Sequence, residues 1–88
     1  MANLYSGSHT FSGYKTLAEL TSLTFVADTK YIIQIVTSLP HSFYVREGST
    51  GKGFIGDSYQ SIEWTYDGVN DLYIGNTYAK QLTINVAG

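Results

Sequence analysis

Ser61-Ile62-Glu63-Trp64-Thr65-Tyr66 is the stretch whose reading settles the fold class. In an extended chain Ile62, Trp64 and Tyr66 fall on one side, and Ser61, Glu63 and Thr65 on the other. A period of two built from β-branched and aromatic residues predicts a half-buried strand. The same alternation recurs on both sides of it. Upstream, Lys30–Thr37 sets Tyr31, Ile33 and Ile35 against Ile32, Gln34 and Val36. That strand is apolar on both faces, which predicts a central position in its sheet. Ser42–Glu47 sets Phe43 and Val45 against Tyr44 and Arg46. Downstream, Leu72 and Ile74 flank Tyr73, and Leu82, Ile84 and Val86 alternate with Thr83 and Asn85.

Turn-forming residues separate these stretches: Ala27-Asp28-Thr29, Ser38-Leu39-Pro40-His41, Gly48–Gly53, Asp67–Asn70 and Gly75-Asn76-Thr77. The single proline, Pro40, lies between strands, where its missing N–H harms no ladder. Only Thr16-Leu17-Ala18-Glu19-Leu20 has a helical turn in it, too short to stand alone. The expectation is one all-β domain over residues 1–88, an antiparallel β-sandwich (jelly-roll or Ig-like) of about seven or eight short strands, with a small β-barrel as the alternative. Leu23–Ile33 and Ile62–Ile74 both read as strand, acidic turn, strand, and predict two hairpins of similar design.

The chain has 88 residues, with 5 Lys+Arg against 7 Asp+Glu and a net charge of −2. Charged residues make up 14%, where an ordinary soluble domain has about 25%. Clustered basic residues for phosphate neutralisation are missing, which argues against nucleic acid as a partner. With no cysteine, a disulfide-stapled scaffold and a Cys-based zinc module are excluded. No apolar run is long enough for a membrane helix, and Met1-Ala2-Asn3-Leu4 lacks the basic start of a signal peptide.

Several stretches have the residue types of a catalytic or binding site but not the pattern. Gly48-Ser49-Thr50-Gly51-Lys52-Gly53 evokes a phosphate loop, but Arg46 stands where the first Gly belongs and Gly53 where Ser or Thr belongs. It reads as a hairpin loop. His9 lies in a polar N-terminal stretch and His41 in a turn, with no spacing that makes a pair on one element. Glu47, Asp57 and Glu63 are the candidate paired carboxylates, but a domain of this size has little room for the enclosed cleft a glycosidase needs. Asp67-Gly68-Val69-Asn70-Asp71 clusters oxygen ligands without EF-hand spacing, and is also what a turn requires. The reading is of a protein that is not an enzyme, with no cofactor and no metal.

The tyrosines point further. The chain has eight, beside four Phe and one Trp. Tyr31 and Tyr66 fall on the apolar side of their strands and are assigned to the core. Tyr44 and Tyr73 fall on the opposite side, and Arg46, two residues from Tyr44, shares its face. Tyr14, Tyr59 and Tyr78 lie near loops. Aromatic rings beside an arginine have the composition of an interface hot spot, and an exposed Tyr also suits a sugar ring. The interaction candidates are Tyr44, Arg46, Tyr73 and Tyr59.

The stretches Ser8–Tyr14, Leu23-Thr24-Phe25, Lys30–Ile35, Tyr44–Gly51, Trp64-Thr65-Tyr66 and Asp71–Ile74, short and rich in Thr, Tyr and Gly, give the chain a further likeness. It resembles the small all-β structural proteins of tailed-bacteriophage virions, which decorate capsids or form head and tail parts. The likeness is one of style, shared with carbohydrate-binding and Ig-like modules. It implies a non-enzymatic protein located in the virion, with the host cytoplasm before assembly as the alternative. Its partners would be a capsid or other virion protein and further copies of itself as a homo-oligomer. The alternatives are a carbohydrate- or receptor-binding module with a glycan ligand, and a small phage effector that binds a host factor.

Overall fold

The computed structural model describes residues 2–37, 43–48, 50–51, 59–76 and 81–88. The described strands are β1 (Asn3–Thr10), β2 (Gly13–Thr16), β3 (Thr29–Thr37), β4 (Phe43–Glu47), β5 (Thr50–Gly51), β6 (Tyr59–Tyr66), β7 (Leu72–Asn76) and β8 (Gln81–Ala87). One sheet runs β1-β8-β3-β6 and the other β2-β7-β4-β5, with every pairing antiparallel. β1 pairs with β8, β2 with β7, β3 with β6 and β4 with β5. The chain is thus one long ribbon folded back at β4–β5. Rolling the ribbon adds the pairs β3–β8 and β4–β7 and splits it into two sheets. That order is the jelly roll, an all-β sandwich.

The inner faces hold the core. Ile33, Ile35, Leu82, Ile84 and Val86 from the first sheet meet Val45, Leu72 and Ile74 from the second, all essentially inaccessible. As the alternation predicted, β3 lies inside its sheet, between β8 and β6. At the end of the sandwich where β3 starts and β6 finishes, Phe25 packs edge-on against Tyr31, Trp64 and Tyr66, with centroids 4.9, 5.1 and 6.4 Å away. Such pairs stabilise beyond their buried area.

Three local expectations are corrected. The Leu23–Ile33 and Ile62–Ile74 stretches are not hairpins. Leu23-Thr24-Phe25 forms no strand, and β6 and β7 belong to different sheets. A turn of Asp, Gly and Asn serves a crossing between layers as well as a hairpin, so turn chemistry alone does not reveal the partner. Gly75 and Asn76, read as a turn, are the last two residues of β7. Finally, the short helical stretch does form a helix, α1 (Leu17–Thr21). Its length is compensated by its cap: Thr16 Oγ1 accepts from the Glu19 N–H at 3.1 Å, and Glu19 Oε1 accepts from the Thr16 N–H at 3.1 Å. Leu17 and Leu20 then bury themselves in the core.

Candidate functional site

The outer face of β2, β7 and β4 carries the largest group of unburied aromatic residues among the described residues. Register explains why. Tyr14 on β2 and Tyr44 on β4 both stand opposite Gly75 on β7, while Thr16 and Arg46 stand opposite Tyr73. Residues directly opposite in an antiparallel pair share a face. Val45, Leu72 and Ile74 point inward from the same strands, which leaves Tyr14, Tyr44, Arg46 and Tyr73 outside.

Gly75 decides how this face closes. A Cβ there would stand 2.7 Å from Cε1 of Tyr14, so the ring lies directly on the glycine backbone. From β4, the Arg46 guanidinium reaches over the same strand. Its central carbon lies 4.5 Å from the Tyr14 ring centre and 4.7 Å from that of Tyr73. A cation held against two ring faces gains about 0.5–1 kcal/mol from each when exposed, and more when desolvated. The Arg46 Nε is buried and has no acceptor among the described residues. Beside this clamp, Gly13, Tyr14, Tyr44, Gly75 and Asn76 line a shallow slot of roughly 50 Å³. Tyr14 and Tyr44 remain 48% and 41% exposed.

Three of the four candidate residues, Tyr44, Arg46 and Tyr73, therefore come together. Tyr59 does not join them: it falls on β6 in the other sheet, opposite Val36, and its side chain lies outside the described residues. Tyr14, placed near a loop by sequence, instead completes the cluster from a four-residue strand. The alternation Gly13-Tyr14-Lys15-Thr16 carried that signal, but four residues beside a helical stretch are too few to separate strand from turn.

The other candidate chemistries sit in structural roles. Asp67 Oδ1 accepts from the N–H groups of Val69 and Asn70 at 2.8 and 2.7 Å, and its Oδ2 from the Asn70 amide at 2.8 Å. The Asn70 and Val69 N–H groups hold its carboxyl below the ordinary value of 3.8. Glu47 turns toward β6 and accepts from the Trp64 indole at 2.8 Å. Glu63 pairs with Lys30 at 3.2 Å on the outer face of the first sheet. His9 lies on β1, where the Tyr5 hydroxyl meets its Nε2 at 2.6 Å. Within the glycine stretch Thr50 and Gly51 form β5, and the residues that follow it, 52–58, lie outside the described residues. His41, Asp57 and Tyr78 lie outside the described residues. Among the described residues no three His, Cys, Asp or Glu side chains are grouped to hold a metal ion. No protein-family model, curated protein or solved structure matches the chain.

Proposed function

We propose that this chain is a non-enzymatic structural protein of a tailed-phage virion, a decoration or other particle-associated jelly roll. It binds its capsid or tail lattice through the outer face of β2, β7 and β4. The observation that carries this reading is the Arg46 guanidinium held between Tyr14 and Tyr73 beside the exposed Tyr44. Ordering an arginine is a main cost of using it at an interface, and here the two rings have already met that cost. Rigid tyrosines around a positioned arginine are the residue types that dominate binding energy. The jelly roll is also an architecture of viral capsid and lectin domains, which is compatible with the reading.

Particles purified on a gradient should contain the chain in fixed proportion to the capsid or tail protein. Arg46→Ala should lose about 2 kcal/mol of particle binding, roughly 30-fold in affinity, with its far-UV circular dichroism unchanged. A chain absent from particles, or an Arg46→Ala variant that binds as tightly as wild type, would sink the reading. The slot between Tyr14 and Tyr44 favours one second reading, a glycan lying across the two rings. A glycan array decides that case: it requires binding that disappears in Tyr44→Ala.

A further inference from the structure

The four outermost strands differ sharply in how their free edges are guarded. β2 has four residues and β5 two, too short to template another strand. β6 has eight, but it carries a charged residue, Glu63, paired with Lys30 of the neighbouring β3. β1 also has eight residues, and none of them is charged and none is proline. Beyond β8, no described residue hydrogen-bonds to the backbone of Ser6–Thr10. Among the described strands, β1 is the one long edge without the charges that normally prevent edge-to-edge pairing.

We infer that β1 pairs antiparallel with β1 of a second copy, about a two-fold axis at Gly7, to join two four-stranded sheets into one of eight strands. The bulge between Asn3 and Tyr5 interrupts the ladder, so the regular edge begins at Tyr5. An antiparallel two-fold keeps the outer faces of both sheets on one side, which requires opposed residues to share a face. Centring on Gly7 sets Ser6 against Ser8 of the second copy and Tyr5 against His9 of the second copy. The small hydroxyls Ser6 and Ser8 already bond along the outer face, to Asn85 and to Thr83. The new seam continues those uncharged rows. On the inner side, the Tyr5 and His9 that bond within one chain meet their counterparts. A second copy is the occupant because in this register hydroxyl meets hydroxyl, Gly7 meets Gly7, and Tyr5 meets His9, the residue type it already bonds within one chain, with no like charges opposed. The inference does not depend on the virion reading, since it uses the opposite sheet and concerns self-association alone.

The absence of native cysteine makes the register directly testable. Opposed strand residues are within disulfide range. Ser6→Cys and Ser8→Cys chains, each oxidised alone, should stay uncrosslinked, and their mixture should form a crosslinked heterodimer. Wild type should sediment at twice the mass of one chain. Ser8→Lys, at an exposed position, should sediment as a monomer with unchanged circular dichroism. Thr65→Lys, which places the same charge on exposed β6, should remain dimeric. If Ser8→Lys fails to fold, the cysteine mixture decides alone. A wild-type monomer at every concentration, a dimeric folded Ser8→Lys, or crosslinking of either cysteine variant alone as fast as the mixture would overturn the proposal.

Discussion

Gly75 and Glu47 each hold one side of the second sheet in place through a single atom or its absence. At Gly75 the missing Cβ is what lets Tyr14 lie over β7. Gly75→Ala should push that ring aside, costing about 1–3 kcal/mol and releasing Arg46 from one of its two partners. Chemical denaturation reads the cost, and particle binding should fall with it. On the core side, Trp64 is 4% exposed and donates to Glu47. Glu47→Ala strands that indole N–H and should cost about 1–3 kcal/mol, while Glu47→Gln keeps an acceptor and should lose less. Trp64 is the sole tryptophan, so its fluorescence follows both unfolding curves. Neither role was legible in the sequence. Gly75 looked like a turn residue and Glu47 like a candidate paired carboxylate, because each role is set by a residue on another strand.

Among the elements, the two polar turns respond to acid in a defined direction. The Thr16 N–H and hydroxyl hold Glu19 below its ordinary 4.5, as the Asn70 and Val69 N–H groups hold Asp67 below 3.8. A carboxyl whose folded pKa is depressed contributes stability above its unfolded pKa and loses it as pH falls through the folded one. Denaturation midpoints should therefore drop as the pH falls through and below those ordinary values, and Asp67→Asn with Glu19→Gln should flatten that drop. Thr16→Ala removes the helix cap and should cost about 1 kcal/mol at neutral pH in the same assay. Strands were legible where the two faces differ strongly, as in β6 and β8, or where β-branched residues fill both faces, as in β3. β1 was harder to read because its inner face is Tyr5, Gly7 and His9, with one glycine and one polar ring where alternation needs apolar bulk. Leu23-Thr24-Phe25 misled in the opposite sense: Phe25 supplies the apolar bulk of a strand, but packs as an end plug between Ser22 and Asp28, both in left-handed conformation.

For the whole molecule, all-β character and the sandwich were readable from period and spacing, since those depend on neighbours in sequence. Strand order was not, because β1 finds β8 and β2 finds β7 across most of the chain. The nested pairing also predicts a sequence of events in time. Closing β4 on β5 across Gly48, whose φ of +56° suits a glycine, encloses a very short loop. Each further pair then closes on a ribbon already formed, and so pays far less chain entropy than two distant strands meeting in a random coil. Folding becomes a zipper started at the middle of the chain, with Ala2 and Gly88, joined by two backbone hydrogen bonds, as its last teeth. Gly48→Ala should accordingly slow refolding in stopped-flow Trp64 fluorescence, whereas loosening β1 from β8 should leave that rate nearly unchanged and speed unfolding.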